Sequence, residues 1–113
     1  MPTQIDRETF ESLKQMTDGP FVGQLVDIFI EDTPRQIGEM KAALAAGDQE
    51  SFRRAAHSVK SNAATFGALQ LSELARDLER LGKEGQLPEA QARLAAFEAA
   101  FGSAADELRG LIQ

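Results

Sequence analysis

Residues 48–67 read Asp-Gln-Glu-Ser-Phe-Arg-Arg-Ala-Ala-His-Ser-Val-Lys-Ser-Asn-Ala-Ala-Thr-Phe-Gly, and the fold class turns on this stretch. Phe52, Ala55, Ala56, Val59, Ala63 and Phe66 recur at the three- and four-residue spacing that lines one face of an α-helix. Asp48 offers a capping carboxylate ahead of the first turn, and Glu50 adds negative charge near the positive end of the helix dipole. Gly67 ends or bends the run.

Outward from this helix the pattern repeats. Downstream, Leu71, Leu74, Ala75, Leu78 and Leu81 predict a helix that stops at Gly82-Lys83-Glu84-Gly85. Pro88 sits at a first-turn position of a last helix, where Leu94, Phe97, Phe101, Ala104, Leu108 and Leu111 follow a seven-residue bundle repeat. Upstream, a stripe of Phe21, Leu25, Ile28 and Phe29 continues through Ile37, Met40 and Leu44 to the stop at Gly47-Asp48. It stays nearly in phase across Pro34, which predicts one long kinked helix. Asp6 caps a short helix carrying Phe10, Leu13 and Met16 on one side, with a stop at Asp18-Gly19-Pro20. No segment shows sustained strand-like alternation, and Val, Ile and Thr are sparse. The expected fold is all-α, an antiparallel up-down four-helix bundle with a short extra N-terminal helix, in a single domain over residues 1–113.

Composition removes several function classes. A chain of 113 residues with 42% hydrophobic content is the size of one domain and can build a core. The absence of cysteine excludes disulfides, thiolate catalysis and Cys-based zinc sites, and the single histidine excludes metal sites that need two imidazoles. Twelve Lys+Arg against eighteen Asp+Glu give a net charge of −6 and a pI near 4.7, so nucleic acid and anionic lipid are not expected partners. There is no basic start followed by an apolar run, which points to a cytoplasmic protein. Met1 and the lack of a linker favour a stand-alone chain. No phosphate-binding loop, nucleophile elbow, His-Glu-x-x-His, EF-hand loop or dinucleotide fingerprint occurs. Glu31-Asp32 and Glu39 read as solvated helix faces, so the chain does not look like a self-sufficient enzyme.

One site survives this elimination. At about 100° per residue, with Phe52 at the centre of the buried face, His57 lies roughly 140° away and faces water. Arg53 and Lys60 sit about 80–100° from that centre on the same flank, Ala64 at about 120° and Ser61 at about 180°. Basic side chains thus stand before and after the imidazole, and small ones follow one and two turns on, leaving room for another protein. Residues 51–72 contain no Asp or Glu, although acids make up 18 of the 113 residues; Arg53, Arg54, His57 and Lys60 all fall in that window. Such a turn tolerates a dianionic phosphoryl group. Taken singly, each residue has a plainer reading. A lone surface histidine is usually just polar surface, Arg53 and Lys60 could serve weak ion pairs, and Ala63 and Ala64 could simply allow close packing.

Taken together they carry more. The run from Ala55 to Ala68, with His57, Val59, Lys60, Ala63, Gly67, Ala68 and then Leu71, resembles the signature of histidine-containing phosphotransfer (HPt) domains. The segments Phe29-Ile30-Glu31-Asp32-Thr33-Pro34, Leu44-Ala45-Ala46-Gly47-Asp48 and Leu78-Glu79-Arg80-Leu81 also look like that family. Ser61 departs from it, standing where the family most often has glycine. The resemblance implies a four-helix phosphorelay carrier in which His57 is the phosphoacceptor and Lys60 stabilises phosphoryl charge. It implies a docking surface including Arg53, Arg54, Ser61 and Ala64, with Gly67 as a structural element of the motif. The implied partners are receiver domains of hybrid sensor kinases and response regulators, which would supply the aspartate and Mg²⁺. No metal or cofactor intrinsic to this chain is implied, and a monomer is expected. The alternative is a helical-bundle adaptor that binds a signalling partner without phosphotransfer, and Ser61 is the feature in its favour.

Overall fold

The computed structural model describes residues 5–17 and 19–112. Five helices follow one another: α1 (Arg7–Met16), α2 (Gly19–Ala46), α3 (Gln49–Thr65), α4 (Leu69–Lys83) and α5 (Leu87–Leu111). Among the described residues there is no strand, and no helix is long and apolar enough to cross a membrane. Each of α2 to α5 packs on its chain neighbour, α2 also meets α5, and α1 lies against α2 and α3. The core they enclose includes Phe29, Met40, Phe52, Val59, Leu71, Leu78, Phe97 and Leu108.

Helix ends follow from side-chain chemistry. Asp6 caps α1 by accepting the Thr9 amide hydrogen at 3.2 Å, and Asp48 caps α3 by accepting that of Ser51 at 3.1 Å. α2 runs unbroken through Pro34, as the in-phase stripe predicts, and the buried Thr33 hydroxyl donates to the Phe29 carbonyl at 2.7 Å. The expected stop of α1 differs in detail. α1 ends at Met16 with Thr17 as its cap, Asp18 lies outside the described residues, and Gly19 and Pro20 open α2.

Two apolar faces also differ from expectation. Met16 is 82% exposed, and Phe21 and Ile28 are about half exposed, whereas Val22, Val26 and Phe29 are buried. The N-terminal half of α2 carries adjacent apolar pairs at 21–22, 25–26 and 28–29, so two stripes offset by one residue both fit a helix. The stripe that reaches Phe66 and Phe101 through Phe29 is the buried one, with ring centroids 5.0 and 5.9 Å apart.

What positions the site is the α3–α4 pair. Gly67 in the connecting loop has φ +79°, and a Cβ there would stand 2.8 Å from the Asp6 carbonyl oxygen. The bare glycine lets the Asp6 amide donate to the Gly67 carbonyl at 2.7 Å, tying α1 to the loop. Gly82 likewise gives up a side chain to Phe52, whose ring would lie 2.8 Å from a Cβ at that position, so α3 and α4 approach closely there. At one end of the pair the Gln49 amide donates to the Lys83 carbonyl, and towards the other the Ser72 hydroxyl donates to the Lys60 carbonyl, both at 3.1 Å. These two bonds run α4 back along α3 and fix its register.

Candidate functional site

That register brings Glu79 of α4 opposite His57 of α3. Glu79 Oε2 lies 2.8 Å from His57 Nδ1, and Glu79 Oε1 accepts from Lys60 Nζ at 2.7 Å. One carboxylate therefore holds both side chains, each by its own oxygen. The Glu79 side chain is only 17% exposed, while that of His57 remains 53% exposed. The imidazole is thus anchored on its inner edge and open on its outer one.

The protonation pattern follows from the charge on Glu79. Burial works against its ionised form, but hydrogen bonds from Lys60 and His57, with the charge of Lys60, outweigh burial and hold the carboxyl below the usual carboxylate range. An ionised carboxylate can only accept hydrogen bonds, so Nδ1 of His57 must be the donor. In the neutral imidazole this places the lone pair on Nε2, the nitrogen turned away from Glu79.

Arg53 stands on the same flank. Its guanidinium donates to both oxygens of Glu50, at 2.6 and 3.0 Å, and approaches Glu79 Oε2 at 3.9 Å. Ser61 and Ala64 are exposed on α3, one and two turns beyond His57, where the helical angles place them. Arg54 is not gathered in. It lies on the α2-facing side with Arg35, Glu39 and Ser58, 70% exposed, and its nearest carboxylate is Glu50 at 3.7 Å.

The sequence reading missed Glu79. The window 51–72 is free of acids along the chain, yet in space an acid from α4 touches its central histidine. A signal was present. With Leu78 at the centre of the buried face of α4, Glu79 falls about 100° round, on a flank able to meet a neighbouring helix. It also lies in the Leu78-Glu79-Arg80-Leu81 segment that carries part of the family resemblance.

Comparison with known proteins agrees with the all-helical fold. The crystal structure of histidine-containing phosphotransfer protein B (HptB) from Pseudomonas aeruginosa PAO1 is similar over 100% of this chain and 97% of that one, with a TM-score of 0.92 and 26% identity. No curated protein sequence is similar to this chain. The Hpt domain family matches residues 24–112, a span that includes all of α3, α4 and α5. On that match, the chain belongs to the Hpt domain family.

Proposed function

We propose that this chain is a phosphorelay intermediate that accepts a phosphoryl group on His57 from a receiver-domain aspartate and passes it to another receiver. Family membership gives it a phosphotransfer role in two-component signalling, as a phosphocarrier and not a catalyst. The observation that carries the finer reading is the Glu79–His57 contact at 2.8 Å, which leaves Nε2 as the free nucleophile on an exposed ring.

In the proposed step the Nε2 lone pair forms a bond to phosphorus, and the bond from phosphorus to the aspartate oxygen breaks, returning that carboxylate. The Nδ1 proton stays on the ring, which gains positive charge as the new bond forms. Glu79 faces that charge and stabilises it, as a buried carboxylate stabilises an imidazolium in hydrolytic triads. Lys60 supplies an ammonium beside the phosphoryl oxygens, and the rest is positioning and charge stabilisation by the partner's aspartate pocket and Mg²⁺.

Arg53, Arg54, Ser61 and Ala64 form the receiver-docking surface in this reading, and Ser61 is small enough to permit close approach. We read α2 to α5 as an antiparallel four-helix bundle with α1 packed on it, supported by the α3–α4 register and by the meeting of α2 with α5. The reading takes the chain as a cytoplasmic monomer.

The test is label uptake from a phosphorylated receiver domain by the wild type and by His57→Gln. The wild type is expected to take up acid-labile phosphate, and the variant to keep its helical circular dichroism and take up none. Label on the variant would falsify the assignment. A wild type that binds the receiver but stays unlabelled would favour the adaptor reading.

A further inference from the structure

α3 and α4 enclose an open groove that shares Glu79 and Arg53 with the His57 site and runs on to Arg76, Arg80 and Lys83, which the phosphoacceptor assignment does not use. Its walls carry four cations, Arg53, Arg76, Arg80 and Lys83, against the carboxylates Glu50 and Glu79. On α4 the residues Arg76, Glu79, Arg80 and Lys83 are spaced three, four and seven apart, so they form one stripe continuous with the His57 site. This concentration of positive charge stands out on a chain whose net charge is −6.

The four cations are not equivalent. Arg53 is occupied by Glu50, and Arg80 pairs with Glu84 at 3.3 Å within its own helix. Glu79 is spent on His57 and Lys60. Arg76 and Lys83 are exposed, and among the described residues no carboxylate lies within ion-pair distance of either. Elsewhere on this surface basic side chains are commonly matched, as Arg35 is with Glu39, Lys41 with Glu98, Arg93 with Glu89 and Arg109 with Asp106. Two unmatched cations lining a groove that shares Glu79 with the His57 site form a local positive field that a neighbouring anion can complete.

We infer that the α3–α4 groove, through Arg76 and Lys83, docks an acidic segment of the protein that exchanges phosphoryl groups with His57, and that it speeds their encounter. The inference rests on the relay reading. A donor centre built on an aspartyl phosphate is anionic by its own chemistry, so a partner bearing carboxylates beside it is complementary to this groove and not to the acidic remainder of the chain. Exposed charges of this kind act mainly on association rate and its salt dependence, and little on the chemical step. The groove is therefore a steering and orienting surface, distinct in effect from Glu79 and Lys60.

The experiment measures the initial rate of label transfer from one receiver domain, charged with acetyl phosphate, to the full chain between about 0.05 and 0.5 M salt, a range over which the screening length shortens severalfold. Arg76→Glu/Lys83→Glu is compared with wild type and with Arg7→Glu/Lys14→Glu, an equal change of net charge on exposed residues of α1. The groove variant is expected to transfer about tenfold more slowly at low salt and to lose most of the salt dependence. Its final extent of labelling on His57 and its thermal melt should match wild type. The α1 variant should stay within about twofold of wild type. Equal rates for the groove variant and wild type overturn the inference and leave the relay reading intact, and so does equal slowing by the α1 variant, which would make net charge the cause. A wild type that no receiver labels overturns both.

Discussion

The two flanks of α3 carry similar side chains and use them differently. Arg53 and Arg54 are adjacent in sequence and both lie near Glu50, yet they belong to different surroundings. On the α4 side, ionic contacts cross between helices: His57 and Lys60 of α3 both reach Glu79 of α4, at 2.8 and 2.7 Å. On the α2 side the charges stay within their own helix, where Arg35 pairs with Asp32 and Glu39, and Arg54 with Glu50. Pairs of the second kind are three or four residues apart, are about half exposed or more, and contribute little to stability. A contact that crosses between helices depends on register, so it can orient a side chain for chemistry. What separates the flanks is whether a charge is tied to a neighbour that the fold holds still.

Removing the crossing carboxylate is the strongest way to break this contrast. Glu79→Gln keeps the size of the side chain and discards its charge, so Nδ1 of His57 loses its obligate acceptor and the ring its facing anion. Phosphoryl uptake is expected to slow about tenfold, equivalent to ~1.4 kcal/mol of barrier. Ring nitrogen NMR should show the Nδ1–H tautomer losing its dominance. An unchanged rate with an unchanged tautomer would reduce Glu79 to a helix–helix tie. The pH dependence has a definite sign. Since the folded carboxyl is held below its usual value of 4.5, its stabilisation is complete above that pH and is lost as pH falls through the lower folded value. The melting-temperature gap between wild type and Glu79→Gln should therefore narrow only on the acid side of 4.5.

A smaller effect is expected from Lys60→Ala. Its ammonium is bound to Glu79 Oε1 and would be shared with the phosphoryl group, so transfer should slow by about threefold to tenfold, ~0.7–1.4 kcal/mol. Stability should change by no more than about 1 kcal/mol, as for other partly exposed ion pairs. Because Lys60 and His57 share one carboxylate, the double variant with Glu79→Gln should slow transfer by less than the product of the single effects. Multiplying effects would mean that Lys60 acts on the phosphoryl group without help from Glu79.

The same contrast shows what sequence could and could not reveal. The buried face of α3 was legible, because Phe52, Ala55, Ala56, Val59 and Ala63 recur on a single stripe and, Ala64 apart, the rest of the helix is polar. The exposure of His57 follows from that stripe by angle alone. The start of α2 was not legible, since both members of the pairs Phe21–Val22, Leu25–Val26 and Ile28–Phe29 are apolar. Only packing against Phe66 and Phe101 selects between the two stripes. Glu79 was hidden for another reason. It lies 22 residues from His57, and their meeting depends on how far α4 slides along α3, a distance set by the Phe66-Gly67-Ala68 turn and by the Gln49–Lys83 and Ser72–Lys60 bonds. Helical periodicity gives the flank of a residue and says nothing about its register against a neighbour.

The least effect, and the sharpest use of the contrast, belongs to Arg54. It is 70% exposed, and the carboxylate it approaches, Glu50 Oε1, is 3.7 Å away and already held by Arg53 at 2.6 Å. Truncation to alanine leaves Glu50 paired, exposes no buried charge and touches nothing on α4. Arg54→Ala should therefore melt with wild type, and as a rim charge of the docking surface it should slow label uptake by no more than about twofold at moderate salt. Arg53→Ala is the matched comparison. It frees Glu50 of its closest partner and removes the guanidinium 3.9 Å from Glu79, so its transfer rate should fall further than that of Arg54→Ala while its melting temperature stays close to that of wild type. Initial rates for the two variants against one receiver, measured in the same buffer, decide the matter. If Arg54→Ala slows transfer as much as Arg53→Ala, the partner sits astride both flanks of α3, and the crossing contacts to α4 orient His57 without deciding where the partner lands.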